Sequence, residues 1–253
     1  MKQAIPLLLS LSFLLHLSCN KREIETPNTD FGYDYYPLNV GQFWEYTVDS
    51  IIYRPAIGGI RKDTFHSFLR EIVVDTFRDN TQLLNFRVEQ FTRRSADLPW
   101  QIRNVFTMAR DEINAFRVED NLRFVKMVFP VKVDKHWSGT NYFDELTEVV
   151  VGGNKLEMFK GWESTIMSDS ETVQTGGLGF DAVLKIQIAD FNSFIESREG
   201  VEYYAKNVGL VSRSIAIFDT QCQICCNGDC GDLAWEDKVE EGFRLEQRLI
   251  RHN

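Results

Sequence analysis

Four cysteines fall within nine residues, Cys222, Cys225, Cys226 and Cys230, and this cluster is the densest reactive chemistry in the chain. Thiols at this density can form disulfides, bind a soft metal ion or exchange electrons. Zinc held by four thiolates usually takes two Cys-x-x-Cys pairs from separate turns, and the adjacent Cys225 and Cys226 make tetrahedral geometry from one short loop awkward. Cys222-x-x-Cys225 has redox spacing, but no βαβ pattern surrounds it. An even number of clustered thiols in an exported chain reads most simply as two disulfides. A Cys225–Cys226 bridge would need a strained vicinal ring, so the favoured pairing is Cys222–Cys226 with Cys225–Cys230. Bridges that close such small loops order a loop tip more than they hold a fold. Asp229 and Asp232 could ligate a cation with backbone carbonyls, although acidic loop residues are more often simply solvated. No metal or other cofactor is expected.

The other reactive side chains form no catalytic set. There is no Gly-x-Ser-x-Gly, His-Glu-x-x-His or phosphate-binding glycine loop. Gly176-Gly177-Leu178-Gly179 lacks the Lys-Ser/Thr that would hold phosphate, and it suits a hairpin turn. His66, His136 and His252 are isolated in sequence, with His252 among the last three residues, where chain ends fray. Asp144 and Glu145 are adjacent, and neighbouring strand positions point to opposite faces, which separates them as an acid/base pair. The expectation is a protein without catalysis.

The fifth cysteine, Cys19, carries a different chemistry. It ends an apolar run over residues 5–17 that follows Lys2; Ser18 precedes it and Asn20-Lys21-Arg22-Glu23 follows. The run is too short to span a bilayer, which takes about 20 residues, and suits the core of a signal peptide. A small residue before a cysteine at its end resembles a bacterial lipoprotein export signal. That reading makes 1–18 the signal peptide, Cys19 the acylated residue carrying palmitate-type chains, and 19–33 a tether. His16 stands where such signals normally carry an aliphatic residue. As a flexible coil of about 14 residues the tether spans roughly 20 Å. The expected location is the cell envelope, as an outer-membrane lipoprotein on its periplasmic or surface face. Loss of Lys2 with the leader takes the net charge from −9 to −10. So acidic a chain is not expected to bind nucleic acid.

The elements that must position these groups are strands. Trp44, Tyr46 and Val48 alternate with Glu45, Thr47 and Asp49, and the same period of two recurs over 84–89, 184–188 and 243–249, the pattern of antiparallel sheets with one wet face. Further strands are expected over 72–76, 102–108, 113–118 and 208–217. Residues 122–129 are apolar on both faces, as in a central strand. Turn signals sit at Arg78-Asp79-Asn80, Arg110-Asp111, Gly152-Gly153-Asn154 and Gly176-Gly177. Short helical turns are expected only near 141–146 and 190–194. Together these predict an all-β fold, an antiparallel barrel, half-barrel or sandwich of about ten strands, as one domain over 34–253.

Several segments carry a likeness to a known family. Tyr36-Pro37-Leu38-Asn39-Val40-Gly41-Gln42-Phe43-Trp44-Glu45-Tyr46 resembles the opening of the mature domain of uncharacterised lipoproteins from Bacteroidota-type bacteria. Phe124 to Pro130 with Trp137-Ser138-Gly139-Thr140-Asn141 is similar to their middle segment. Tyr203 to Val211 resembles a late strand pair, and Gly242 to Leu249 the closing strand. The resemblance implies an envelope location and an all-β fold, and it carries over no catalytic residue. The expected role is binding or assembly at the envelope, with another envelope protein or an apolar ligand as partner. The alternative is a carrier that encloses an apolar ligand or lipid in a curved sheet, and an envelope enzyme stands third.

Overall fold

Strands carry nearly all the regular structure, as the period of two requires. A computed structural model describes residues 30–222, 230 and 232–253. The strands are β1 Phe43–Ala56, β2 Gly59–Arg78, β3 Leu84–Arg93, β4 Gln101–Arg110, β5 Asn114–Glu119, β6 Leu122–Val128, β7 His136–Ser138, β8 Val149–Val151, β9 Asn154–Leu156, β10 Glu163–Thr175, β11 Leu178–Asn192, β12 Glu196–Ala205, β13 Gly209–Asp219 and β14 Glu241–His252. A 3-10 turn at Tyr33–Tyr35 and a short helix at Trp235–Lys238 accompany them.

Twelve strands form one antiparallel sheet in the order β6-β5-β4-β3-β2-β1-β14-β13-β12-β11-β10-β7, and β8 pairs with β9 as a separate hairpin. The chain runs outward from β1 to β6, crosses to β7 at the far edge, and returns to β14 beside β1. The crossing brings the two edges together: the Val125 N–H donates to Gly139 O (2.9 Å), and the Trp137 indole N–H donates to Val125 O (2.9 Å). The sheet is therefore a nearly closed barrel, which leaves little unpaired edge.

The closing seam explains one departure from expectation. Residues 122–129 read as a central strand, yet β6 is the terminal strand of the ladder. Its Val125, Lys126 and Met127 are all buried because Trp137 covers its outer side while its inner side faces the lumen. A second departure is at 190–194, where a helical turn was expected. β11 continues to Asn192 instead, since Phe191 and Asn192 pair with Arg198 and Ser197 of β12. Residues 141–146 form turns without a helix. His252 is not frayed: it lies within β14 opposite Trp44, its ring 6.0 Å from that of Phe180. The number of strands also exceeds ten: fourteen are described, three of which, β7 to β9, are only three residues long.

Hairpin turns fall where the sequence marks them. Gly176 and Gly177 have φ of +55° and +83°, the two left-handed residues of the turn that matches strand twist. A Cβ on Gly176 would lie 2.3 Å from Leu249 O, so only glycine fits. Asp120 and Asn121, φ +51° and +63°, make the same kind of turn between β5 and β6 without glycine. Asp79 and Asp111 close their turns by accepting backbone N–H groups two and more residues on.

Two adjoining clusters fill the core. One gathers Trp44, Tyr46, Val73, Val88, Phe106 and Leu249, and the other Tyr36, Met127, Ile166, Leu184, Ile186 and Ile217. The family-like segments meet here, with the Trp44 indole N–H donating to Val208 O (2.5 Å) and Gly209 lying against Pro37 and Trp44. Phe31–Asn253 forms one compact unit. Residues 31–33, expected in the tether, are already packed into it: Val131 N–H donates to Phe31 O (3.0 Å), and Tyr33 packs edge-on against Phe129.

Candidate functional site

The inward phase of five strands carries charge where a filled barrel would carry aliphatics. β2 presents Glu71 between Leu69 and Val73; β5 presents Arg117 and Glu119; β6 presents Lys126 after Phe124. β12 presents Glu202 beside Tyr204, and β13 presents Arg213 between Val211 and Ile215. Barrel curvature turns these strands toward one another, so their side chains meet across the lumen.

Two ion-pair groups result. In the first, Arg117 donates through Nη2 to Glu71 Oε1 (2.8 Å) and through Nε to Glu119 Oε2 (2.8 Å), with Gln90 also donating to Glu71 (2.8 Å). The Arg117 guanidinium stacks 3.6 Å from the Phe106 ring centroid. In the second, Glu202 Oε1 accepts from Lys126 Nζ and Arg213 Nε, both at 2.7 Å, while Oε2 accepts from the Tyr204 hydroxyl at 2.7 Å. Glu202 and Arg213 are direct cross-strand neighbours, whereas Lys126 reaches Glu202 from the other wall. The three acids Glu71, Glu119 and Glu202 match the three bases Arg117, Lys126 and Arg213 in number, so the group is neutral (3 − 3 = 0).

The environment shifts these groups unequally, because each has a different set of charged neighbours. Burial pulls the Lys126 ammonium down to about 8, because only Glu202 opposes it while Arg213 and Arg117 repel it. Burial raises the Glu202 carboxyl, but Lys126 and Arg213 together outweigh that and hold it at about 2. Arg117 is lowered by burial and raised more by Glu71 and Glu119, ending well above its ordinary value. Burial pushes the phenols of Tyr36, Tyr46 and Tyr204 up, so all three remain neutral donors.

Beside this network the barrel is open. On the side of Tyr36, Trp44, Tyr46 and Met108 the residual space is about 30 Å³, room for about one water. On the side of Lys126 and Arg213 there is a cavity of about 450 Å³, walled by Phe124, Met158, Phe159, Trp162 and Ile215. Asp120 and residues 147–150 also line it, with Val150 exposed. The β8–β9 hairpin contributes this wall and is fixed at its tip by Arg54, whose Nη1 donates to Gly152 O (3.1 Å). Trp162 is buried, and its indole nitrogen has no hydrogen-bond partner among the described residues.

The residues singled out from sequence stand elsewhere. Cys222 and Cys230 form a disulfide with Cα atoms 6.1 Å apart, a usual separation. This replaces the expected Cys222–Cys226 and Cys225–Cys230 pairing. The reason is that β13 and β14 remain in register to Asp219 and Glu241, and Glu240 N–H binds Asp219 O (3.0 Å), which draws the two ends of the loop together. Cys19, Cys225, Cys226 and Asp229 lie outside the described residues. Among the described residues no three His, Cys, Asp or Glu are grouped to hold a metal. His136 is exposed and bonded to Thr165 (2.8 Å), and His66 to Asp49 (2.6 Å). Asp144 accepts from Leu146 N–H and Glu145 from Gly161 N–H, separate structural roles. Sequence reading passed over Glu71, Arg117, Lys126, Glu202 and Arg213. Their signal was available: each is a charged residue in the core-facing phase of an alternating strand.

No protein-family model matches the chain, and no curated protein matches it. Two solved structures are similar to it. One is described as an exported protein with a YmcC-like fold from Bacteroides fragilis, 13% identical, covering 89% of this chain and all of that one at a TM-score of 0.36. The other is described as a lipoprotein from Parabacteroides distasonis, 12% identical, with the same coverage and a TM-score of 0.37. Likenesses this distant transfer no residue and no role to this chain.

Proposed function

We propose that this chain is a lipid-anchored cell-envelope protein that binds a small amphiphilic molecule in its barrel and does not transform it. The observation that carries the reading is the cavity of about 450 Å³ with an aromatic wall on one side and buried hydrogen-bonding charges on the other. Its size lies in the range of small-molecule sites, and barrel mouths are among their preferred places. A module that only docks to another protein has no use for an unfilled lumen. A carrier for a wholly apolar ligand would not line its cavity with Lys126, Glu202 and Arg213. Binding without turnover fits the same residues: both Glu202 oxygens are occupied, and Lys126 is held against Glu202, which leaves neither poised as a base or nucleophile.

The test is native mass spectrometry of the chain purified from its own membrane. The expected result is a copurified species of small-molecule mass on the wild-type chain and its loss from Leu122→Trp, where a ring would fill the cavity beside Phe124. A bare wild-type polypeptide under gentle extraction would count against the proposal.

A further inference from the structure

The distribution of free donors and acceptors in the cavity says which kind of head group it would take. The carboxylates at the depth of Lys126 and Arg213 are already engaged, and the two others on the lining, Asp120 and Glu148, are exposed at its rim and bonded to Asn104 (3.2 Å) and Lys155 (2.6 Å). Glu202 accepts from three donors, and Glu119 accepts from Arg117 (2.8 Å) and from Asn104 (3.4 Å). The cations are not exhausted. Arg213 uses Nε on Glu202 (2.7 Å), and neither of its Nη groups is engaged by another described residue, although the side chain lines the cavity. Lys126 makes one bond, to Glu202 (2.7 Å), and an ammonium has three donors. At that depth the unfilled capacity is donor capacity, so the complementary group there is an acceptor.

Charge decides among acceptors. The six buried network charges balance, and Asp120 and Glu148 are exposed to water at the rim, so a monoanion leaves one uncompensated charge at depth and a phosphate, at about −1.5 to −2, leaves nearly two. Uncompensated charge is costly in a buried site. The paired Nη groups of an arginine also match a planar carboxylate through two parallel hydrogen bonds. An ammonium head would find no free carboxylate beside Arg213 and Lys126, since Asp120 and Glu148 stand at the exposed rim.

Direction follows from the strands. Side chains two residues apart share a face, so Phe124 and then Leu122 follow Lys126 toward the β5–β6 turn, and Ile215 follows Arg213. Asp120 of that turn and the exposed Val150 also line the cavity. The cations are therefore deep, and the apolar wall lies between them and the opening.

We infer that the cavity holds a monocarboxylate amphiphile with its head inward, its carboxylate on Arg213 and Lys126 and its apolar body along Phe124, Phe159 and Ile215. This rests on the small-molecule reading above. Isothermal titration of the full chain at neutral pH, with dodecanoate, dodecanol and dodecylamine each below micelle formation, separates the two claims. Dodecanoate is expected to bind about tenfold or more tightly than dodecanol, and dodecylamine not to bind. Arg213→Met should erase the preference for dodecanoate and leave dodecanol unchanged. If the Met variant fails to fold, Arg213→Lys keeps the charge and loses the fork, and it should weaken dodecanoate several-fold. Equal binding of dodecanol or dodecylamine, or an unaltered preference in the folded variant, overturns the head assignment while the cavity reading stands. Failure of all three probes to bind overturns both.

Discussion

Replacing Glu202 by glutamine is the sharpest perturbation of the lumen network, since it keeps the side-chain volume and removes one charge. Glu202 is fully buried and accepts from Lys126, Arg213 and Tyr204. Without its charge three cations face two acids, and removing one partner of a buried pair costs about 3–5 kcal/mol. The titration of Glu202 provides a second route to the magnitude. Its folded value of about 2 lies below the ordinary 4.5, and that gap converts to about 3 kcal/mol at neutral pH. Because the folded value is the lower one, the unfolded chain binds more protons between these limits. The stabilisation is therefore complete above about 4.5 and lost as the pH falls through 2.

Lys126 sets the other flank of the same experiment. Its folded value of about 8 lies below the ordinary 10.5, so the unfolded chain again binds more protons in that window, and stability rises with pH from about 8 to 10.5. In Glu202→Gln the ammonium loses its one acidic partner among the described residues and sheds its proton at lower pH. The deficit should thus narrow between neutrality and 8. Urea denaturation followed by tryptophan fluorescence measures it, with an unchanged m-value required for the comparison. At neutral pH the expected loss is about 3 kcal/mol, and Lys126→Met combined with Glu202→Gln should recover more than half by restoring two acids to two bases. A loss under about 1 kcal/mol, a deficit that persists undiminished in strong acid, or a double variant no more stable than the single one would refute the reasoning.

Two further outcomes follow from residues outside the cavity. Gly242 has φ +140°, and a Cβ there would lie 2.0 Å from Ile217 O, so Gly242→Ala should destabilise the β13–β14 pairing by about 3 kcal/mol, with a shift under about 1 kcal/mol in urea denaturation telling against it. Cys19→Ala should abolish labelling by radioactive palmitate and release the chain from the membrane fraction; persistent labelling would remove Cys19 as the acylated residue.

The strands were legible in the sequence because alternation reports directly on a sheet with one wet face. Trp44-x-Tyr46-x-Val48 and Leu184-x-Ile186-x-Ile188 are inward rows in the barrel as they are in the pattern. Closure was not legible. Residues 122–129 look central from their burial alone, and only the hydrogen bonds between Val125 and the segment at 137–139 reveal them as a seam. Local propensity at 190–194 gave way to pairing with β12, a tertiary effect that no window of that length contains. The candidate site was not legible because it has no catalytic spacing along the chain. Glu71, Lys126 and Glu202 are far apart in sequence and converge only when the sheet closes, yet each breaks an apolar row at the inward phase.

Those breaks bear on what the lumen is for. Replacement of buried ion pairs by well-packed aliphatics is often neutral or stabilising, so six lumen charges are a poor means of holding this barrel together. Lys126 demonstrates the cost, since burial depresses its ammonium even beside Glu202. On the side of Trp44 and Tyr46 hydrogen-bonded aromatics close over the same charges, Glu71, Arg117, Lys126 and Arg213, with almost no void, so the lumen can be packed shut around them. The side of Phe124 and Trp162 departs from that packing, keeping open space beside donors of Lys126 and Arg213 that no described residue uses. A barrel selected for stability alone would extend the first arrangement across the lumen. The second arrangement is accounted for when a molecule with an acceptor head occupies it, because that occupant fills the void and satisfies the free donors together.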